Sequence, residues 1–439
     1  MFSIRAGYAV LIAVACLASL ERARGDDLKH IDFLQTLQIA MERSPTLSTV
    51  HADLTIRNLQ YRNSYSVFLP SLDLSSTAGL YDSRPQLTDR PFTSQFDLGL
   101  TETLYDNGVS ITNYSSAKIQ RAIANLNFRL QRDQLLLDVS LEYMRYSLSR
   151  TLFETQQRQF TIVNTQYKAV ESQFHQGVKT RRDYLKFKTE LRRSEIEVQK
   201  AAADTEKSRV ELMRLMGFDS KDVTPFEFTP IEIVPDAVAV VPSKPPNLTD
   251  HYQYRIAGLQ KKVLENDVQI VRRRDYPELF FTAGANYHRG DYLAPSVSST
   301  QPDITSWNAL LNLKFNIWDW GIRRRDISIA EAKKTQAENG IQSTLNSFSS
   351  DNSKLMLDLN LSAKNYSVAR ELLDLENKSY SYLDTDYRNG KVSYLDIVVG
   401  LRDLLQARVQ VDSSYFDLRG QLLKYRYYEG RLYESLFEK

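Results

Sequence analysis

The side chains that most often carry enzyme chemistry are sparse in this sequence. Its five histidines show no metal-ligand spacing such as H-x-x-x-H. We find no Ser/His/Asp pattern, no phosphate-binding loop and no pair of carboxylates spaced for acid–base catalysis. The single cysteine, Cys16, lies in an apolar segment near the start of the chain. The sequence therefore predicts neither an enzyme nor a resident metal or other cofactor.

Acidic residues recur instead in two short motifs, each of which occurs twice. One is Asp-x-Gly after an alternating apolar segment, and the other is a glycine followed six residues later by an aspartate. A constant separation between repeated motifs indicates a duplicated structural unit. The separation along the chain is identical for all four matching pairs: Asp106 and Asp319, Gly108 and Gly321, Gly177 and Gly390, and Asp183 and Asp396.

Two long segments without proline predict long helices. No proline occurs between Pro91 and Pro225 or after Pro302, and a proline inside a helix costs about 3 kcal/mol. We interpret Gly177 and Gly390 as turns that reverse the chain within these segments. The helix before each turn would hold about 67 residues and extend roughly 100 Å. Such a length indicates a coiled coil or the wall of a tube.

Segments of alternating apolar and polar residues predict strands with two different faces. The alternation is clearest over 96–104 and 307–317. Strands of about ten residues with one apolar and one polar face are typical of a transmembrane barrel with a water-filled lumen. The predicted strands cover about 70–82, 93–105, 278–290 and 304–317.

Four strands are too few to close a barrel, for which eight is about the minimum. An open sheet in lipid would leave backbone groups unpaired, at several kcal/mol each. We therefore expect the chain to oligomerise. A trimer would give a mixed membrane α/β structure: a 12-stranded transmembrane β-barrel, four strands per chain, that continues into an α-helical coiled-coil barrel of twelve helices.

The chain divides into a targeting segment, two structural repeats and a linker. Residues 1–25 are predicted to be a signal peptide, and the alternative of lipidation at Cys16 is a poor match to its motif. The rest is predicted to comprise repeat 1 (26–217), a proline-rich surface linker (218–249) and repeat 2 (250–439). The formal net charge of +2 lies in the targeting segment, so nucleic acid is not an expected partner.

Taken together and in order, these motifs resemble those of the TolC family of outer-membrane efflux and secretion ducts. The resemblance covers nearly all of the chain after residue 25, and it includes the proline that begins each first strand, Pro70 or Pro277. It implies a homotrimer in the outer membrane of a Gram-negative bacterium, in contact with its lipid and extending into the periplasm. It also implies a passive exit conduit of a tripartite efflux pump or type I secretion system, opened by a periplasmic adaptor (membrane fusion) protein and an inner-membrane RND or ABC pump.

The resemblance further implies roles for residues at the helical turns. Asp396 and Tyr387 match residues that close the periplasmic mouth, and Asp183 fills the equivalent place in repeat 1. Three Asp396 carboxylates around a threefold axis would select cations and raise one another's pKa values. The alternatives are a solvated residue that caps its helix and a divalent-cation site. The hairpin tips are expected to dock the adaptor through Gly177, Gly390, Arg181, Arg182, Arg388 and Lys391.

The competing functional hypothesis is a soluble periplasmic coiled-coil adaptor or scaffold. Such a protein has no use for alternating strands of lipid-spanning length, so the strands distinguish the two hypotheses. Drugs, metal ions and proteins are all compatible with this sequence as cargo.

Overall fold

The computed structural model describes residues 29–80, 92–218, 226–231, 242, 244–289, 303–389 and 391–437. The predicted signal peptide, 1–25, lies outside these residues. The chain forms two compact units. The sheet unit comprises Thr46–Gln131 and Asn247–Asp351, and the helical unit comprises Arg132–Pro246, Asn352–Lys439 and the described residues up to Pro45. Each unit therefore combines parts of both sequence repeats.

Each repeat supplies two strands of one sheet and one pair of long helices. The first helix of each pair has 67 residues and the second has 35. In chain order the elements are β1 (Lys29–Ile31), α1 (Phe33–Arg43), α2 (Pro45–Ser66), β2 (Ser71–Leu80), β3 (Phe92–Tyr105), α3 (Val109–His175), α4 (Arg181–Leu215), β4 (Phe226–Phe228), a 3₁₀ turn (Leu248–Asp250), α5 (Tyr252–Arg273), β5 (Glu278–Arg289), β6 (Asp303–Lys314), α6 (Ile322–Arg388), α7 (Tyr394–Tyr428) and α8 (Leu432–Phe437).

The helical unit is built around Tyr143 of α3, which is fully buried. Its ring packs edge-on against Phe33 and Phe228, at centroid distances of 5.3 and 6.0 Å. Its hydroxyl donates to the backbone carbonyl oxygen of Thr229 at 2.6 Å, so the buried polar group is satisfied. Burial raises the pKa of Tyr143 and keeps the phenol neutral. The surrounding core is aliphatic, and its largest fully buried members include Leu37, Leu136, Val139, Leu212, Met216 and Leu432.

Part of the segment predicted to be a surface linker, 218–249, contributes to this core. Strand β4 lies in it and pairs in parallel with β1, so that Ile31 lies opposite Phe228. Phe228 is buried, and Pro246 of the same segment is also buried. A short strand with aromatic residues at alternate positions can place one of them in a core.

The four longer strands form an antiparallel sheet in the sheet unit, in the order β2-β3-β5-β6. The central pair, β3 and β5, joins the two repeats, and β2 and β6 are the outer strands. Three strands end within about two residues of the predicted bounds. Strand β6 ends at Lys314 rather than at 317, because β5 begins at Glu278, opposite Lys314, and offers no partner beyond it.

Gly217 lies just after the C-terminal end of α4, in a backbone conformation that favours glycine. Its φ is 81°, and a Cβ atom at this position would lie 2.7 Å from the backbone oxygen of Arg43. Gly340 provides a contrast, because it lies inside α6 with no neighbouring atom within 4 Å of an added Cβ.

We predict that Gly217→Ala destabilises the protein by roughly 2–4 kcal/mol, since left-handed strain and a backbone clash add together. Gly340→Ala should instead stabilise it by about 0.5–1 kcal/mol, because alanine is the better helix former. Thermal unfolding of both variants in detergent, followed by circular dichroism, measures the difference. Equal midpoints for the two variants would contradict the prediction.

His251 caps the start of helix α5 from a fully buried position in the sheet unit. Its Nδ1 accepts the backbone N–H of Gln253 at 3.2 Å, and its ring lies against Phe348 with centroids 4.4 Å apart. Burial lowers the pKa of His251 from 6.5 to about 4. The folded state therefore holds this imidazole neutral.

The pKa of His251 predicts a loss of stability in mild acid. Between about pH 6.5 and pH 4 the unfolded chain binds a proton that the folded chain does not, so stability falls as the pH falls through this window, by at most about 1.4 kcal/mol per unit. His251→Asn keeps a helix-capping side chain without the titration. The difference in thermal midpoint between wild type and variant should change in the variant's favour from pH 7 to pH 4. Parallel pH profiles would disprove the assignment.

Candidate functional site

One face of the four-stranded sheet is mostly apolar, with polar exceptions that include Ser76 and Glu102, and its side chains are exposed in the single chain. The register places Leu74 opposite Leu98 and Trp307 opposite Ala285 on this face. Seven of its large side chains are between 44% and 82% exposed. A globular protein buries such a face, whereas a protein in a bilayer presents it to lipid. The seven are Leu72, Leu74, Phe96, Leu98, Trp307, Leu311 and Leu313.

The opposite face of the same sheet is mostly polar, with Phe280 and Leu310 as apolar interruptions. Side chains on this face bond across the strands. The Asn312 amide donates to Thr282 Oγ1 at 2.9 Å, and the Ser306 hydroxyl bonds to Asn286. The face is therefore suited to water. Its other polar members include Asp73, Ser75, Thr77, Gln95, Asp97, Thr101 and Asn308.

The two Asp-x-Gly motifs form the turns that lead from β3 and β6 into the long helices. Asp106 accepts the backbone N–H groups of Gly108 and Ser110, at 3.1 and 2.6 Å. Asp319 accepts the corresponding N–H groups two and four residues later, at 2.9 and 2.5 Å. Gly108 and Gly321 have φ values of 77° and 78°. The aspartate thus satisfies N–H groups that a helix start leaves unpaired, and the glycine permits the left-handed turn.

The middle residue of each motif also has a positive φ, 58° at Asn107 and 54° at Trp320. Asparagine tolerates this conformation better than other side chains. The Asn107 amide donates to the backbone oxygen of Pro277 at 2.8 Å, which ties the turn after β3 to the start of β5. Trp320 is 79% exposed. The two turns therefore share a backbone conformation but differ in their surroundings.

The first hairpin tip contains a glycine turn and a capped helix start. Helix α3 ends at His175, and Gly177, with φ 77°, lets Val178 N–H donate back to Gln173 O at 2.9 Å. The turn is the left-handed helix ending for which glycine is preferred.

The structure places Asp183, a predicted gate residue, in the cap of α4. Thr180 Oγ1 donates to the Asp183 carboxylate at 2.8 Å and accepts the Asp183 N–H at 3.2 Å. The hydrogen bond from the Thr180 side chain is the main cause that lowers the pKa of Asp183, with help from Lys179 and Arg182. The carboxylate therefore stays ionised at neutral pH.

Around this cap the first tip is strongly basic. The predicted docking residues Arg181 and Arg182 are exposed, and Asp183 is the only acidic residue between 179 and 188. An exposed cluster of one sign attracts a surface of the opposite sign. Its basic members are Lys179, Arg181, Arg182, Lys186 and Lys188.

The second hairpin tip places Asp396 in the equivalent cap of α7. Ser393 donates to the Asp396 carboxylate twice, through its backbone N–H at 2.9 Å and its hydroxyl at 2.6 Å. These bonds lower the pKa of Asp396. Lys391, a predicted docking residue, pairs with Asp386 at 3.4 Å. Gly390 and the side chains of Tyr387 and Arg388 lie outside the described part of the structure.

Sequence analysis named Asp183 and Asp396 and gave capping as an alternative for Asp396, but it did not identify the residues that bond to them. Each is the fourth residue of a Thr/Ser-x-x-Asp sequence, Thr180 to Asp183 and Ser393 to Asp396. This spacing is the sequence signature of a helix start whose first residue and fourth residue bond to one another. The signal was present in the sequence. The geometry supports the capping alternative for Asp396 within one chain, and it places Asp183 in an equivalent cap.

Among the described residues, no helix has both the length and the apolar character needed to cross a bilayer. Within the same residues, no three His, Cys, Asp or Glu side chains are grouped so that they could hold a metal ion.

Comparisons with known proteins agree with this geometry. A family profile described as outer membrane efflux protein matches residues 36–218 and 255–423. No match was found among the curated proteins.

Several solved structures share the fold at low sequence identity. The CmeC outer membrane channel of Campylobacter jejuni aligns with a TM-score of 0.75 and 14% identity, over 91% of this chain and 85% of that chain. The outer membrane protein VceC of Vibrio cholerae gives 0.72 and 15%, over 89% and 95%. The open state of the MtrE outer membrane channel of Neisseria gonorrhoeae gives 0.71 and 17%, over 90% and 88%.

The family match covers most of both repeats, and it does not favour the alternative of a soluble adaptor or scaffold. The chain belongs to the outer membrane efflux protein family, and it is an outer-membrane efflux channel with a periplasmic extension rather than an enzyme.

Proposed function

We propose that three copies of this chain form a closed duct through which cargo leaves the periplasm. The observation that carries the proposal is the four-stranded sheet, which has one exposed apolar face, one polar face and two outer strands. Three such sheets joined edge to edge make a twelve-stranded barrel. Its apolar face meets outer-membrane lipid, and its polar face lines a water-filled lumen.

In this proposal the paired long helices of the three copies continue the duct into the periplasm as an α-helical barrel. The channel performs no chemistry, so transport energy must come from elsewhere. We assign that role to an inner-membrane RND or ABC pump, joined to the duct by a periplasmic adaptor protein. An efflux pump and a type I secretion system both use such an arrangement.

The hairpin tips are the proposed docking and gating region. The basic first tip, which contains Arg181 and Arg182, suits an acidic surface on the adaptor. At the second tip, three copies of Asp396 would form an acidic ring that favours cations. The bonds from Ser393 support this role, because they hold the carboxylate in place and favour its ionised form.

The barrel predicts a difference between the two faces of β6. Leu311→Arg places a charge on the apolar face and should prevent membrane assembly, at about 2–4 kcal/mol for mid-depth in lipid. Asn308→Arg, on the polar face of the same strand, should assemble normally. The amount of trimer extracted from outer membranes measures both. Normal assembly of Leu311→Arg, or equal loss in both variants, would argue against a lipid-facing sheet.

The acidic ring predicts a change in ion selectivity. Asp396→Asn removes the charge but keeps side-chain acceptors, and it should lower the preference for cations over anions several-fold in planar-bilayer recordings. Asp403→Asn is the control, since Asp403 lies on the same helix beside Arg402. An unchanged reversal potential in Asp396→Asn would remove this residue from the constriction.

A further inference from the structure

The helix ends that adjoin the sheet differ in charge between the two repeats. In the second repeat, residues 272–276 and 317–331 include six arginines and four carboxylates. The corresponding residues of the first repeat, 65–69 and 104–118, include one aspartate, one lysine and no arginine. At this end of the sheet an excess of positive charge is therefore confined to the second repeat.

Four of the six arginines are held by neighbouring groups of the sheet unit. Two form ion pairs between α5 and α6, one lies over a tyrosine ring, and one donates to a threonine hydroxyl. These four side chains therefore help to join α5 to α6 and α3. Their contacts are Arg272–Glu331 at 2.5 Å, Arg274–Asp326 at 2.8 Å, Arg323 over Tyr276 at 4.3 Å and Arg273–Thr112 at 3.3 Å.

The remaining two, Arg324 and Arg325, are exposed in the first turn of α6 and form no ion pair with a described residue. Asp319 attracts Arg325, but its carboxylate already accepts two backbone N–H groups. Positive charge in the first turn opposes the helix dipole and is unfavourable. The first repeat has Ile111 and Thr112 at the same two positions, so the fold does not require arginine there. This placement favours an anion from outside the chain.

Two exposed tryptophans precede these arginines. Trp318 and Trp320 are 70% and 79% exposed, and their rings lie edge-on with centroids 5.8 Å apart. The third tryptophan of the chain, Trp307, lies on the apolar face toward the other end of β6. Tryptophans near both ends of a lipid-facing strand are typical of aromatic girdles, where the ring meets acyl chains and the indole N–H meets polar groups. Trp318 and Trp320 therefore mark the level at which lipid meets water.

A second copy of the chain offers no carboxylate at this level. In the proposed trimer, the first repeat of a neighbouring copy lies beside the second repeat. The end of α2 and its link to β2, residues 54–72, contain Arg57 and Arg62 but no acidic residue. Asp73 follows them, on the polar face of the sheet. A neighbouring copy would therefore add positive charge and leave Arg324 without an ion pair.

We propose that Arg324 and Arg325, together with Trp318 and Trp320, bind the head group of an anionic phospholipid in the periplasmic leaflet of the outer membrane. The guanidinium groups bind phosphate oxygens, and arginine side chains are long enough to reach the head groups from the helix. The acyl chains continue onto the apolar face, where Leu313 is 70% exposed. The inference uses the orientation of the proposed duct, with its long helices on the periplasmic side.

The charge of this headgroup site selects an anionic lipid over a zwitterionic one. A zwitterionic head group carries its own cation beside the phosphate, so it leaves the excess positive charge of the second repeat uncompensated. Phosphatidylglycerol carries a net negative charge. The attraction of arginine to an anionic membrane surface is a general property of such clusters.

Tryptophan fluorescence in proteoliposomes tests the headgroup site. In Trp307→Phe only Trp318 and Trp320 report, because the chain has three tryptophans. Quenching by phosphatidylglycerol with brominated acyl chains is compared with quenching by brominated phosphatidylcholine at the same mole fraction. We expect the apparent affinity to favour phosphatidylglycerol by roughly fivefold or more, which is the order expected for one arginine near an anionic surface.

The arginines are then tested against a matched pair of lysines. Arg324→Gln with Arg325→Gln should reduce the affinity ratio to about one. Lys333→Gln with Lys334→Gln removes the same charge about 14 Å farther along α6 and should keep the preference. A ratio near one before the arginines are changed, an unchanged ratio afterwards, or an equal fall in the lysine variant would each overturn the headgroup site.

Thermal dissociation of the trimer gives a second measurement that needs no tryptophan. A ligand bound to the assembled state stabilises it, so trimers should dissociate at a temperature several degrees higher in nanodiscs of phosphatidylglycerol than in nanodiscs of phosphatidylcholine. Arg324→Gln with Arg325→Gln should abolish this difference without lowering the temperature in phosphatidylcholine. The same difference between lipids in wild type and variant would count against the site.

The mass and conductance of the particle test the duct separately. A conducting trimer without a lipid preference would overturn the headgroup site and leave the duct standing. A particle that neither trimerises nor conducts, but keeps the preference, would overturn the duct alone.

Discussion

The outer edges of β2 and β6, along which no other strand of the described residues pairs, are the constraint on which the rest of this structure depends. In water, the open edges of β2 and β6 would be hydrated at little cost. In hydrocarbon, each unpaired N–H or C=O group costs several kcal/mol, so a sheet there must close. The chain already contains one junction that meets this requirement, between β3 and β5. In the proposed trimer the open edges of β2 and β6 pair with neighbouring copies, whereas the exposed apolar face meets lipid.

The two Asp-x-Gly turns show which residue types are fixed by the backbone conformation and which depend on neighbouring groups. Asp106 and Asp319 are the same residue because both must accept N–H groups at the start of a long helix. Gly108 and Gly321 are the same because both have a positive φ. The residue between them differs, although its φ is nearly the same. The Asn107 amide donates to the Pro277 carbonyl oxygen, whereas the Trp320 ring lies edge-on to Trp318 and is largely exposed. A position with a fixed backbone conformation can thus hold different residues where the side-chain neighbours differ.

Local sequence patterns predicted the positions of the long helices and the four long strands. The errors occur at strands whose bounds depend on pairing with a partner distant in the sequence. The absence of proline and the spacing of the two glycines gave helices that the structure places at Val109–His175 and Ile322–Arg388. Alternation located the four long strands, since a period of two is a property of the strand itself. It did not predict the end of β6, which depends on a partner. Nor did it find β1 and β4, which are too short to show a period and which pair although they lie far apart in the sequence. At the tips sequence analysis singled out Asp183 and Asp396 and left capping as an alternative for Asp396, without naming Thr180 or Ser393 as the bonding partners.

The capping role of Asp396 has a consequence for a channel gate. Carboxylates brought together on a threefold axis repel one another, so each addition of charge raises the pKa of the others and favours protonation. The two hydrogen bonds from Ser393 act in the opposite direction and lower the pKa of Asp396. A carboxylate that is already bonded to its own helix start is therefore better able to remain ionised in a ring than a free side chain would be. Capping and cation selection are then not alternatives, because the cap is what would allow the ring to keep its charge at neutral pH.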